Sequence, residues 1–342
     1  MMSKNLFKHL LSDYCSKIEA VLSSETPGKI FSSIYHSFMK KYIDAFNNHM
    51  EGGKRLRAFL VILGYNITGH ETDNDIITAS LSYEFFQNGI LIHDDIIDRS
   101  TLRRGKPSMY VALGNNQAGI SKAICLGDAG IVAAYDALTL TDFDPSRKLQ
   151  AVENQSKVFK ITIAGELKDI ELSYDDEYSL DDILTMYEMK TSWYTFIGSL
   201  KLGAILGGGN ETLLSDIEKL GRLMGIAFQI KDDITGIYGN VQDAGKSNLS
   251  DIEEGKKTVL TCYFREKASS DDKREFDSVY GKSNCTQDDN RKVRELLDKS
   301  GAHSSAESLL MKHITMARET VSRMNISQYH KDILCGMLEY MS

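Results

Sequence analysis

Apolar residues in this chain recur every three or four positions and almost nowhere every two, and only three prolines interrupt 342 residues. Proline removes a backbone donor and collides with the preceding turn, so a chain with so few can carry long helices. Across 29–49, Ile30, Ile34, Phe38, Tyr42 and Phe46 fall every four residues, which predicts a helix. Across 149–170, Val152, Val158, Phe159, Ile161, Ile163, Leu167 and Ile170 form a broad apolar stripe. Breaks are expected at Gly52-Gly53, near Gly69, at 104–107, 141–147, 171–181, 207–210 and 239–256. Thr286-Gln287-Asp288-Asp289 reads as a helix N-cap with an acidic first turn. The polar stretch 269–289 reads as a solvated connection. No linker is long enough to divide the chain, so the expectation is one all-α domain over 1–342.

Composition adds exclusions. The net charge is −8, with 42% hydrophobic and 26% charged residues, as in an ordinary globular protein. An acidic balance argues against a nucleic-acid partner. Cys15, Cys125, Cys262, Cys285 and Cys335 are odd in number and scattered, which fits reduced thiols and a cytoplasmic location. No uninterrupted apolar run approaches the ~18 residues of a bilayer span, so no integral membrane segment is expected.

Against that apolar background two stretches stand out: Leu91 to Asp98, "LIHDDIID", and Phe228 to Gly236, "FQIKDDITG". Both contain Ile-x-Asp-Asp-Ile. On a helix Asp94 and Asp98 share a face, with Cβ atoms ~5–6 Å apart. At an effective dielectric of about 20, two such charges repel by roughly 3 kcal/mol. A solvated helix face would tolerate them. The apolar flanks Leu91, Ile92, Ile96 and Ile97, and the repetition at Asp232-Asp233, favour a carboxylate cluster compensated by a cation. Lysine or arginine would serve. Oxygen-only ligands equally suit a hard ion such as Mg²⁺, which takes one or two carboxylates and bridges to phosphate.

Basic residues supply the counterpart. Gly52-Gly53-Lys54-Arg55-Leu56-Arg57 sets three cations behind a flexible turn, and Arg103-Arg104-Gly105-Lys106 follows the first aspartate motif. Lys190-Thr191, Lys231, Lys246 and Lys256-Lys257 come later. Arginine grips phosphate oxygens bidentately. Two such clusters beside the carboxylates suggest two phosphorylated ligands, one held through metal and one directly.

In this order the motifs resemble those of the trans-isoprenyl diphosphate synthases, the polyprenyl synthetase family. "GGKRLR" is similar to its GGKxxR segment, "LIHDDIID" to its first aspartate-rich motif and "RRGKP" to its RRGxP loop. Lys190-Thr191, Phe228-Gln229, "DDITG" and "GKSNLSDIEEGKKT" (245–258) complete the series. The resemblance implies a bundle of long, mostly antiparallel helices around a deep central cavity, and a homodimer. It implies prenyl transfer: an allylic diphosphate ionises, isopentenyl diphosphate attacks, and a proton is lost. Asp94, Asp98 and Asp232 would hold about three Mg²⁺ ions on the allylic diphosphate, with Asp95 and Asp233 supporting them. Arg103, Lys190, Lys246 and Lys256 would touch the same diphosphate. Gly53, Lys54, Arg57, Gln87 and Arg104 would hold isopentenyl diphosphate. Thr191 and Gln229 would face the carbocation. No protein base is needed, because departing diphosphate can take the proton, and His93 reads as a packing residue.

Three departures from the family pattern matter. Ala58 stands where proline is frequent, Gly236 where a third aspartate is frequent, and Glu166 where glutamine is frequent; Asp169 would sit in the metal's outer sphere. By the same resemblance the product grows along the helix before Asp94, so Phe85, Phe86, Gly89 and Ile90 would set its length. Gly89 leaves room beyond farnesyl, and Phe86 or Phe85 would stop the chain, which makes geranylgeranyl diphosphate the expected product. Farnesyl and longer products stay open. A class I terpene cyclase would need metal ligands at Gly236 and Asn240 and has no use for GGKRLR. A non-catalytic partner subunit would have degraded aspartates.

Overall fold

The computed structural model describes residues 2–24, 26–31, 37–175, 177–239 and 249–342. The elements are α1 (Met2–Leu22), α2 (Thr26–Ile30), α3 (Lys40–Met50), α4 (Leu56–Ile67), α5 (Asn74–Ile97), a hairpin of β1 (Leu102–Arg103) and β2 (Lys106–Pro107), α6 (Met109–Ala112), α7 (Gln117–Thr139) and α8 (Pro145–Tyr174). Then follow α9 (Leu180–Tyr187), a π-helical segment (Glu188–Ile197), α10 (Gly198–Leu206), α11 (Glu211–Tyr238), α12 (Ser250–Glu253), α13 (Val259–Lys267), α14 (Ser270–Asp277), α15 (Gln287–Lys299), α16 (Ala302–Arg323) and α17 (Gln328–Met341). The expected all-α class holds; among the described residues the hairpin is the only β-structure.

The chain packs as two units, one of 1–157, 197–218 and 325–336, the other of 158–196, 219–324 and 337–342. In the first, small residues bring helices to backbone contact. A Cβ at Gly89 of α5 would lie 2.6 Å from the Gly127 carbonyl of α7, and one at Gly130 would lie 2.7 Å from the Phe46 ring. Gly64 of α4 and Gly203 of α10 are matched in the same way against Leu200 and Val61. Asp73 caps α5 through the Ile76 N–H, so the helix starts where its apolar run begins. In the second unit Gly165 of α8 meets the backbone at Lys190, and Gly225 of α11 meets Ser192. The π-helical turn is therefore clamped by a glycine on each neighbouring helix.

Three expectations change. The periodic stretch 29–49 is not one helix: α2 stops at Ile30, α3 starts at Lys40, and Phe38 is exposed. The polar stretch 269–289 contains α14, which Ser269 caps. Its Phe276 is buried and stacks between Phe264 and Tyr280, an anchor too sparse for periodicity to show. Third, α7 is long and apolar enough, by length and composition, to cross a bilayer. It still carries Lys122, Asp128 and Asp136, and one face of it lays Gly127 against Gly89 of α5. The Thr286 cap holds as expected: Thr286 and Asp289 form a reciprocal capping box.

Candidate active site

The first carboxylates sit in the last turn of α5. Asp98 is the C-cap residue and donates its N–H to the Asp94 carbonyl at 2.8 Å, which stacks the two side chains one turn apart. Both are half-buried, while Asp95 between them is fully buried. Arg103 reaches back from the hairpin: Nη2 lies 2.8 Å from Asp94 Oδ2 and 2.5 Å from Asp95 Oδ1, and Nε lies 2.8 Å from Asp95 Oδ1. Burial opposes the guanidinium charge, but Asp94 and Asp95 outweigh it and hold the group above its ordinary value.

The hairpin turn itself places the next arginine. Arg104 and Gly105 both have positive φ, 53° and 74°, as a two-residue hairpin turn demands. Arg104 Nη1 then donates to the Met50 and Glu51 carbonyls at 3.1 and 3.3 Å, and Lys106 pairs with Glu51 at 2.7 Å. Burial, then Arg55, lowers the Arg104 pKa. A Cβ at Gly53 would sit 3.1 Å from the Arg55 guanidinium and 3.4 Å from that of Arg104, so glycine gives the two cations room to converge. Arg55 turns inward onto Glu84 (2.9 Å) and Glu19 (2.7 Å) and is a structural ion pair. Lys54 is exposed; Arg57 and Gln87 are half-buried. His93 packs against Gly127, its Nε2 3.1 Å from the Ile124 carbonyl, as a packing residue should.

The second unit carries the other set. On α11, Asp232 is exposed and Asp233 is buried. Tyr187 donates its hydroxyl to Asp233 Oδ2 and accepts from the Val259 N–H at 3.1 Å. Gln229 donates to Asp233 Oδ1 at 3.0 Å, and Thr191 donates to Gln229 Oε1 at 2.8 Å. Among the described residues no cation joins this chain of contacts, and burial pushes the Asp233 carboxyl from its ordinary 3.8 up to about 8. Tyr187 is likewise raised well above its usual value by burial and Asp233. Lys190 lies 2.9 Å from Glu166 and 2.6 Å from Asp169, so the unexpected Glu166 shares the lysine charge with Asp169. Lys256 lies 2.7 Å from Asp251. Lys246 lies outside the described residues.

Gly236 also gains a reason. A side chain there would fall on Asp251 Oδ2, so the carboxylate absent at 236 has its space taken by another from α12. Sequence reasoning missed Tyr187, Asp251, His49 and Asn88. Asn88 offered a signal, as a polar residue inside the apolar run of α5, and Asp251 another, as an acidic residue inside the 245–258 motif; Tyr187 and His49 carried none.

For a metal the donor chemistry fits, since Asp94, Asp98 and Asp232 offer only oxygens. Among the described residues no three His, Cys, Asp or Glu are gathered as a metal cage. A Mg²⁺ ion needs none, because it takes one or two carboxylates and completes its shell with water and phosphate.

Comparison with known proteins decides the class. The model of the polyprenyl synthetase family matches residues 39–297. The chain belongs to the polyprenyl synthetase family. It is 29% identical over 290 residues to the geranylgeranyl diphosphate synthase of Methanosarcina mazei, covering 85% of each chain. It is 29% identical over 299 residues to the geranylfarnesyl diphosphate synthase of Aeropyrum pernix, covering 85% of this chain and 90% of that one. In fold it resembles the geranylgeranyl pyrophosphate synthase of Corynebacterium glutamicum complexed with isoprenyl diphosphate and magnesium, at TM-score 0.84, 24% identity and coverage of 99% and 98%. This polyprenyl synthetase is thus a metal-dependent trans-prenyltransferase with the all-α isoprenoid synthase fold.

Proposed function

We propose that this polyprenyl synthetase condenses isopentenyl diphosphate with allylic diphosphates up to geranylgeranyl diphosphate. The observation that carries the product length is the division of α5 into two faces. Phe85, Gly89 and His93 succeed one another every four residues, and all three are spent on packing. Gly89 and His93 lie on Gly127, while Phe85 stacks on Phe46 at 6.0 Å and meets Phe31 edge-on at 5.9 Å. The glycine at 89 therefore has a packing cause. Phe86, Ile90 and Asp94 form the next row, and that row ends in the aspartate proposed to hold the reacting diphosphate. Phe86 lies about 12 Å along the axis from Asp94, at ~1.5 Å per residue. Phe86, rather than Phe85, is the stop.

Asp94, Asp98 and Asp232 hold magnesium in this reading, about three ions, which supply charge neutralisation for the departing diphosphate. Arg103, Lys190, Lys246 and Lys256 bind the same diphosphate. Gly53, Lys54, Arg57, Gln87 and Arg104 bind isopentenyl diphosphate. Thr191 and Gln229, already bonded to each other, turn oxygen dipoles toward developing positive charge. Phe86 and Ile90 keep water from the cation. The proton leaves with diphosphate. Both aspartate sets serve a single domain in this proposal, and a homodimer is included. Ile124 and Val132, exposed eight residues apart on α7, support a partner face. All five cysteines are thiols, which supports a cytoplasmic place.

The test is product chromatography with labelled isopentenyl diphosphate and dimethylallyl, geranyl or farnesyl diphosphate in turn. A twenty-carbon product from each is expected. Phe86→Ala should lengthen it and Phe85→Ala should not. Hydrocarbon from an allylic diphosphate alone would instead mean a cyclase. Silence until a partner chain is added would mean a subunit without its own catalysis.

A further inference from the structure

Each described cation assigned to the allylic diphosphate already carries two carboxylates. Arg103 meets Asp94 and Asp95. Lys256 lies 2.7 Å from Asp251 and 3.2 Å from Glu254. Lys190 lies 2.9 Å from Glu166 and 2.6 Å from Asp169. At Lys190 the second carboxylate sets this chain apart, because Glu166 stands where a neutral glutamine is frequent.

Local structure builds the Lys190 cluster. Glu166 and Asp169 are three residues apart on α8 and so share a face. Gly165 beside them admits the neighbouring backbone: a Cβ there would lie 2.3 Å from the Lys190 nitrogen. The lysine belongs to the π-helical segment, so its side chain leaves that segment beside the two carboxylates. The side chains of Lys190, Glu166 and Asp169 are 27%, 25% and 29% exposed, so a ligand can reach them. Burial and Asp233 raise the Tyr187 pKa most, and Asp169 adds to them, which sets the cluster near the second aspartate pair. One ammonium against two carboxylates leaves one negative charge. A bare diphosphate is a multiply charged anion and is repelled there; with divalent ions bound to it, the repulsion turns to attraction. Glutamine at 166 would leave the cluster neutral.

We propose that Glu166 is a positioning residue that acts through Lys190 and makes the allylic site accept a diphosphate only together with its magnesium. This rests on the prenyl-transfer reading of Lys190. Glu166 holds the ammonium beside α8 and offsets its charge, so the lysine does not draw in a diphosphate that lacks metal. A metal-free allylic diphosphate would fill the site without reacting, since its leaving group is not neutralised. Exclusion of that species keeps the site open for the productive one.

The test is calorimetric titration of the full chain with inorganic pyrophosphate, in EDTA and in saturating Mg²⁺, with each variant checked for a cooperative melt. In EDTA, Glu166→Gln should bind pyrophosphate about tenfold more tightly than wild type, the scale of removing one unit charge ~8–10 Å away under salt screening. In Mg²⁺ that gain should vanish or reverse. Glu166→Asp keeps the charge and should stay within about twofold of wild type in EDTA. Asp169→Asn removes the other carboxylate and should reproduce the gain, so it takes over if Glu166→Gln does not fold. A folded Glu166→Gln chain that binds no better than wild type in EDTA, or not at all, overturns the inference. A gain of equal size with and without Mg²⁺ overturns it too. In Mg²⁺, Lys190→Met should bind pyrophosphate at least about tenfold more weakly, as loss of a charge-assisted contact requires. Wild-type binding by Lys190→Met overturns the diphosphate reading of Lys190 itself. Weakened binding by Lys190→Met with no change in Glu166→Gln overturns only the role of Glu166.

Discussion

The two Ile-x-Asp-Asp-Ile stretches bury their second aspartate in opposite ways. Asp95 is held by the Arg103 guanidinium, eight residues along the chain. Among the described residues Asp233 is bonded by the neutral donors Tyr187 and Gln229, and burial raises its carboxyl to about 8 against the pull of those bonds. A buried carboxylate can be matched by an opposite charge or by keeping its proton, and this chain uses one solution at each repeat. A shared Ile-x-Asp-Asp-Ile pattern therefore does not give identical electrostatics. The first aspartates in each pair, Asp94 and Asp232, are the accessible ones and share one proposed task.

That shared task gives the largest expected effect. Asp94→Ala and Asp232→Ala should each lower kcat by at least about a hundredfold, the scale of losing one electrostatic contact to the transition state. Raising Mg²⁺ should recover part of it. Steady-state diphosphate release measures both. If Asp232→Ala stays active while Asp94→Ala does not, the two repeats differ in function as well as in environment.

The next effect separates the two solutions. Asp95→Asn removes a charge on which a buried arginine depends and should cost about 2–3 kcal/mol in urea unfolding. Asp233→Asn removes no partner's counter-charge and should cost about 1 kcal/mol or less at pH 7. Equal losses would show that the cation at Asp95 and the neutral donors at Asp233 are equivalent supports.

How much of this was legible beforehand follows from distance along the chain. Helices were readable because periodicity is local, and the breaks at 52–53, 69 and 207–210 fell where glycine permits them. Arg103 lies within reach of the motif and reads in the sequence as a diphosphate contact, whereas the structure pairs it with Asp94 and Asp95. The Tyr187 contact spans 46 residues and leaves no periodic trace. The π-helical turn at Lys190 depends on Gly165 and Gly225 of other helices, which a window around Lys190 does not contain. Gly236 was read as a missing ligand. Its cause, Asp251, lies in a separate helix. Phe85 and Phe86 read alike in the sequence; in the fold both rings are fully buried, and Phe85 stacks on Phe46.

The pH dependence of stability sharpens the contrast further. Asp233 keeps its proton to about pH 8 in the folded chain and loses it near its ordinary 3.8 when unfolded. Between those values the folded chain binds more protons than the unfolded one, so stability falls as pH rises from about 4 to about 8, then levels. The fall attributable to this group is on the order of a few kcal/mol and should vanish in Asp233→Asn. Urea titrations in EDTA at successive pH values measure it. A wild-type slope identical to that of Asp233→Asn would place the buried proton elsewhere.

The smaller of the two pH effects concerns Tyr187, and its direction makes it informative. Tyr187→Phe removes the hydroxyl that donates to Asp233 and receives the Val259 N–H, at a cost of about 1–2 kcal/mol. Below pH 8 Asp233 carries a proton, and the lost bond is one between neutral groups. Above pH 8 the carboxylate is charged and needs donors more strongly, since bonds to charged groups are worth about twice neutral ones. The gap between wild type and Tyr187→Phe should therefore widen from pH 6 to pH 9. Asp95 draws its support from a guanidinium that keeps its charge at both pH values, so this widening belongs to the second repeat. A gap that stays constant would mean that Tyr187 acts on α13 through Val259 and leaves the carboxylate to Gln229.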